Sequence, residues 1–228
     1  MATLQRIDST PDLVERVHRQ LLDAICSGKI EPGARLTQEE IAASLGVSRQ
    51  PVHQALRLLK KEGFVVDAGR RGLMVSRPDG RALEHLYQIR SVLDGLAARL
   101  AAQSGKKLDP DLVEAGRRSL ARGDVLEMIS RDMEFHRAMY SAAGNPLIAE
   151  SAGRYWQHIG RAMGVALGPQ RMGPSVWDEH EAILKAINRG DAARAEALAR
   201  GHCEAAGRTL SSQLSNPSND RKQRVKTP

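Results

Sequence analysis

Aromatic residues make up only 3% of this 228-residue chain: two Trp, three Tyr and two Phe. Cores without rings must be filled by Leu, Ile, Val, Ala and Met. That suits packed helices better than β-sandwiches, whose strands lean on aromatic and β-branched side chains. Cysteine is almost absent. Cys26 and Cys203 lie far apart and in no metal-binding pair, so no disulfide framework is implied, as in a reducing cytosol. No apolar run approaches the roughly 18 residues that a membrane span needs. The opening stretch, MATLQRIDSTPDLVERV, has neither the basic nor the apolar segment of a signal peptide. These absences predict a cytoplasmic chain without membrane association. Catalytic signatures are missing too: there is no nucleophile elbow and no phosphate loop, and His180-Glu181 is not followed by the second histidine of a zinc-protease helix.

Apolar residues at 41% and charged residues at 27% are ordinary for a globular chain. The length suggests one or two domains, each able to bury a core. The net charge is +7 with a pI near 9.8. A basic balance permits nucleic-acid binding without proving it, and here it is not concentrated. Residues 1–76 carry 11 Lys/Arg against 9 Asp/Glu, and the tail from Gln213 carries Arg221, Lys222, Arg224 and Lys226 against Asp220. Patterning, not charge, must identify any DNA-binding part.

Leu13, Val14, Val17, Leu21, Leu22 and Ile25 recur at helical spacing over 11–27, and Gly28 follows as a stop. A turn through Pro32 and Gly33 leads to a second helix. Thr37 and Glu40 form a capping box there, Ile41, Ala42 and Leu45 supply the apolar face, and Gly46 ends it. After Gly46-Val47, Ser48 is an N-cap and Pro51 falls in the first turn of a third helix striped by Val52, Ala55, Leu56 and Leu59. Two short β-type runs, Phe64–Asp67 and Leu73–Ser76, flank a basic AGRRG tip. Helix, helix, tight turn, helix and hairpin is the order of a winged helix-turn-helix.

Arg77-Pro78-Asp79-Gly80 reads as a linker, and beyond it only helices are expected, at about 81–104, 109–121, 124–143, 146–166, 175–189 and 191–212. The expected organisation is mainly α: an N-terminal winged helix-turn-helix over 10–76, a linker at 77–80, an all-helical bundle for effector binding and dimerisation over 81–212, and a disordered tail at 213–228.

In a helix-turn-helix the second helix enters the major groove and its first residues meet base edges and phosphates. Here these are Ser48, Arg49, Gln50 and His53. Arg49 can fork onto guanine or clamp a phosphate, Gln50 can pair with adenine, and the Ser48 hydroxyl at a helix N-terminus suits a phosphate. Arg70 and Arg71 on the hairpin tip are placed to enter the minor groove or touch its backbone. The stretch from Leu36 to Val65, LTQEEIAASLGVSRQPVHQALRLLKKEGFV, resembles the DNA-binding signature of the GntR family of bacterial regulators, most specifically in its S-R-x-P-V-x-x-A-L core, and the resemblance runs from about Leu13 to Ser76. Two positions depart from that pattern. His53 stands where the family often has Arg, and Glu39 where it often has Arg or Lys. Both positions commonly touch DNA in the family, so their change leaves more of the contact to Arg49 and the wing.

Asp132 and His136 stand four apart in D-M-E-F-H, on one helical face. With His180 and His202 on later helices they make a complete donor set for Zn²⁺, Ni²⁺ or Mn²⁺, with positions left for water or a ligand oxygen. By spacing alone an isolated Asp-x3-His pair is more often a surface pair or a capped core histidine than a metal site. The resemblance adds to this. LYQIRSVLDGLAARLAA, DMEFHRAMYSAAGN and EHEAILKAINRGDAARA resemble successive parts of the FCD effector domain of one GntR branch, and His202 falls where that domain has its final histidine. The resemblance implies a metal held by Asp132, His136, His180 and His202, with a small organic-acid effector beside it. Arg90, on the side of Tyr87 and Asp94, is the candidate clamp for an effector carboxylate, and His158 is a candidate pocket residue.

The resulting expectation is a homodimeric transcription regulator, a repressor by preference, gripping operator DNA and answering to a small carboxylate; it is not an enzyme. Two rivals remain at this stage: a DNA-binding protein whose metal only stabilises the fold, and a metal-dependent hydrolase.

Overall fold

The computed structural model describes residues 11–69, 72–166 and 175–215. It divides into two compact units that meet in sequence between Arg77 and Pro78.

The N-terminal unit runs α1 (Pro11–Cys26), β1 (Arg35–Leu36), α2 (Gln38–Leu45), α3 (Arg49–Lys61), β2 (Val65–Asp67) and β3 (Leu73–Val75). Thr37 caps α2 as the sequence predicts, accepting from the Glu40 backbone N–H at 3.3 Å. The reciprocal arm differs: the Glu40 carboxylate accepts from the Thr37 hydroxyl at 2.7 Å. Gly46 closes α2 at φ +63, a left-handed conformation that glycine adopts without a Cβ penalty, and the chain turns there into α3. Ser48 takes the N-cap position of α3 in extended backbone but makes no capping hydrogen bond. The wing pairs β2 with β3 antiparallel, Val66 opposite Met74. The order β1-β3-β2 adds a third strand, with Arg35 opposite Met74 and Leu36 opposite Leu73. Val17, Leu21, Ile25, Val52, Leu56, Leu59, Phe64 and Val75 fill one core. Each such side chain contributes roughly 1.5–3 kcal/mol when fully buried. That core fixes α3 by its apolar stripe and leaves the opposite face to solvent.

The C-terminal unit contains α4 (Gly80–Gln103), α5 (Asp111–Arg122), α6 (Val125–Ala143), α7 (Pro146–Ala166), α8 (Ser175–Arg189) and α9 (Ala192–Ser215). Asp79 caps α4, accepting from the backbone N–H groups of Arg81 and Ala82 at 3.2 Å, and Asp124 caps α6 likewise. The helix α9 continues to Ser215, past the end expected at 212. No strand appears among the described residues of this unit. The core is one continuous cluster in which Ala97, Ala98, Ala101, Ala195 and Ala199 recur between Met128, Phe135, Met139, Trp156, Trp177 and Ile183. Small residues bring α4 and α9 together: a Cβ on Gly207 would lie 2.6 Å from Cβ of Tyr87, so only glycine fits. This close packing carries Arg90 and Asp94 of α4 up against α9. No helix among the described residues is long and apolar enough to cross a membrane.

Candidate functional sites

The exposed face of α3 is polar over its first two turns. Arg49, Gln50 and His53 are all exposed, as is Ser48 just before them, while Val52, Ala55, Leu56 and Leu59 face inward. The Ser48 hydroxyl is not spent on capping its own helix. Across the turn, Arg49 Nη1 donates to Glu39 Oε1 at 3.0 Å. Arg70 and Arg71, the hairpin-tip candidates, lie outside the described residues.

In the helical unit, Asp132 and His136 of α6, His180 of α8 and His202 of α9 come together. One ligand atom from each lies within 4.8 Å of those of the other three, and all four residues are buried. His180 Nε2 is 3.2 Å from His202 Nε2 and 3.5 Å from Asp132 Oδ1, and His136 Nε2 is 3.9 Å from the same carboxylate oxygen. The three imidazoles therefore turn their Nε2 atoms onto one point beside Asp132.

Two carboxylates orient them from behind. Asp94 Oδ2 lies 3.0 Å from His136 Nδ1, and Glu179 Oε2 lies 2.7 Å from His202 Nδ1. Nδ1 of His180 has no partner among the described residues, and its ring stacks on Phe135 at 4.3 Å. Burial pushes both His136 and His180 below the ordinary imidazole value, helped by the Arg90 charge for the first and by the neighbouring histidines for the second. Both are held in the neutral form that a metal requires.

Asp94 is the joint of a second group. It is fully buried and accepts from Arg90 Nε at 3.2 Å, from Cys203 Sγ at 3.0 Å and from the Tyr140 hydroxyl. Burial alone would raise its pKa, but the close approach of His136 and Arg90, with the hydrogen bond from Tyr140, holds it well below the carboxylate range. Arg90 is buried as well. Its Nη1 donates to the Tyr87 hydroxyl at 3.2 Å, its guanidinium lies 4.2 Å from the Trp156 ring centroid, and its Nη2 has no partner among the described residues. Trp156 also sits 5.2 Å from the His136 ring. A cleft of about 540 Å³ opens between the end of α6 and the start of α7, and Tyr140 and Trp156 line it together with Met133, Arg137, Asn145 and Gln157.

The sequence candidate His158 is half-buried on α7 and belongs neither to the Asp/His cluster nor to the cleft lining. Trp156, two residues earlier, is the α7 side chain that touches the cluster. Asp94 as the support of His136, and Glu179 as that of His202, were not expected; Glu179 stands beside His180 in sequence but gives no signal of its own.

A winged helix-turn-helix with a polar recognition face, followed by a separate helical bundle, defines a DNA-binding transcription regulator. Residues 13–75 match the model of the bacterial regulatory proteins of the gntR family, and residues 85–205 match that of the FCD domain. The chain belongs to the GntR family, in its FCD branch. It is 30% identical over 195 residues to an HTH-type transcriptional regulator in an unstable DNA locus of Streptomyces ambofaciens, covering 83% of this chain and 81% of that one. Its fold is similar to that of Escherichia coli McbR/YncC, with a TM-score of 0.71 at 23% identity over 89% of this chain and 98% of that one. It is also similar to a GntR regulator from Rhodococcus sp. RHA1, with a TM-score of 0.65 at 24% identity over 94% and 99%.

Proposed function

We propose that this regulator is a homodimeric repressor whose grip on operator DNA is set by a small organic acid bound at a divalent metal in the helical unit. The observation that carries the reading is the convergence of three buried imidazoles on Asp132, with the unpartnered Arg90 Nη2 in the adjoining network. The donors fit a borderline cation such as Zn²⁺, Ni²⁺ or Mn²⁺: nitrogen-rich, with one carboxylate, and oriented by outer carboxylates. Asp132, His136, His180 and His202 would hold the ion, which when bound supplies a Lewis-acid centre for a ligand oxygen. Arg90 supplies two further things: a charge that draws a carboxylate in, and a nitrogen that can donate to it. Its guanidinium is fixed for this by Asp94, Tyr87 and Trp156.

Dimerisation is supported by α4, where Ile89 and Val92 stand three apart and half exposed, a pairing of apolar residues that a second copy would cover. Ser48, Arg49, Gln50 and His53 then meet each half-site, and Arg70 and Arg71 remain candidates for minor-groove or backbone contact. Effector binding would alter the spacing of the two recognition helices, a coupling of about 1–3 kcal/mol.

The test is metal content and melting temperature of purified protein, wild type against His136→Ala, with a panel of small carboxylates, followed by operator binding under the same conditions. One equivalent of metal, lost in the variant, with a carboxylate that raises the melting temperature and weakens operator binding only in the metal-loaded protein, is the expected result. Metal binding without any carboxylate response would reduce the ion to a structural staple.

A further inference from the structure

The turn between α2 and α3 holds an ion pair that serves no evident structural purpose. Thr37 and Glu40 satisfy one another at the start of α2. Glu39, the residue between Gln38 and Glu40, turns away from that arrangement and accepts from Arg49, ten residues on and the first residue of α3. Both side chains are largely exposed, so the pair buries nothing and braces no core. Its location is what matters: Arg49 stands at the end of α3 that meets DNA in this class of fold.

A guanidinium has two faces of paired donors. With Nη1 engaged by Glu39 Oε1, the Nε–Nη2 edge is left without a partner among the described residues. Two parallel donors on one edge are what guanine O6 and N7 require in the major groove. An arginine without a brace finds phosphate oxygens as readily, because these are more numerous and fully charged. Glu39 also places a negative charge at the surface that approaches the phosphates. Its own backbone N–H at the start of α2, and then Arg49, hold its carboxyl below the ordinary value, so the charge persists at neutral pH.

We propose that Glu39 is a specificity-determining residue: it presents the free edge of Arg49 to a guanine and keeps it from capture by the phosphate backbone, lowering non-specific affinity while sharpening sequence discrimination. This rests on the reading that Arg49 contacts bases. Glu39 itself is a positioning residue, acting through Arg49.

The experiment uses the full-length protein. Selection from random duplexes defines the preferred site of the wild type. Binding is then measured to that site, to the site with each guanine exchanged, and to random DNA, over a range of salt, for wild type, Glu39→Ala, Glu39→Gln and Arg49→Ala. Because Glu39 and Arg49 are exposed, these substitutions leave the fold intact. Both Glu39 variants are expected to bind random DNA more tightly and to lose about tenfold discrimination at one guanine, the weight of a single bidentate contact. Their salt dependence should steepen by about one phosphate contact as Arg49 moves to the backbone. Arg49→Ala should lose the same guanine preference without the gain on random DNA. Glu39 variants that keep wild-type discrimination and salt slope, while Arg49→Ala loses the guanine, overturn the proposal alone. An Arg49→Ala protein with unchanged preference overturns the base-reading role and the proposal with it.

Discussion

Glu179 and His202 face one another across two helices, the Glu179 carboxylate 2.7 Å from His202 Nδ1, and the opposite nitrogen of the same ring points at His180. A carboxylate on Nδ1 fixes the tautomer and leaves Nε2 as the electron-pair donor. Glu179→Ala is therefore expected to weaken metal binding about 10- to 100-fold, the usual effect of losing such a partner. Because Glu179 is partly exposed, the melting temperature of the metal-free protein should hardly change. Competition with a chromophoric chelator checks this; an unchanged affinity would mean that His202 needs no such support.

Asp94 carries a heavier load. Removing its charge by Asp94→Asn strands the buried Arg90 guanidinium beside His136. Breaking one side of a buried ion pair costs about 3–5 kcal/mol, to be read from urea unfolding of the metal-free protein. Tyr140→Phe, which removes one neutral donor to the same carboxylate, should cost only about 1 kcal/mol. Equal losses in the two variants would refute the ranking.

The buried histidines make the metal-free protein acid-sensitive. Burial, with Arg90 for His136 and the neighbouring rings for His180, lowers both folded values beneath the ordinary imidazole value. The unfolded chain then binds more protons than the folded one at and below pH about 6.5. Stability should be fully present above that pH and fall as the pH is lowered through it. Melting temperatures of chelator-treated protein across this range check the sign, and His180→Gln should flatten the profile. A melting temperature that rises on acidification would contradict it.

Gly207 admits Tyr87 so closely that Gly207→Ala must push α4 from α9. Overpacking of this kind costs about 1–3 kcal/mol. Tyr87 also holds Arg90 Nη1, so the carboxylate response proposed above should weaken along with the urea midpoint. A variant of wild-type stability would show that the two helices can part without strain.

Much of this was legible in the sequence because helical periodicity is a local signal. The stripe Val52, Ala55, Leu56 and Leu59 fixes which face of α3 is free, and Asp132 and His136 share a face by their spacing alone. What escaped is of two kinds. Strand β1 is two residues long, Arg35 and Leu36, and exists through backbone pairing with β3, for which side-chain alternation offers no warning. The outer carboxylates depend on contacts between elements distant in the chain: Asp94 reads as a helical neighbour of Arg90, and only packing brings it to His136. Packing likewise decides which side of α7 meets the cluster. Two residues along a helix are a rotation of about 200°, and it is Trp156 whose side reaches the cluster.

The four converging donors are also a matter of timing. Asp132 and His136 emerge from the ribosome with α6, His180 follows with α8, and His202 comes only with α9. Domains fold as they are synthesised, yet a nascent chain that has not reached residue 202 holds at most three of the four donors and lacks the helix that packs Gly207 against Tyr87. The cluster is thus completed only once α9 is being made, and an ion that needs all four donors would be held only by a chain that has reached this helix.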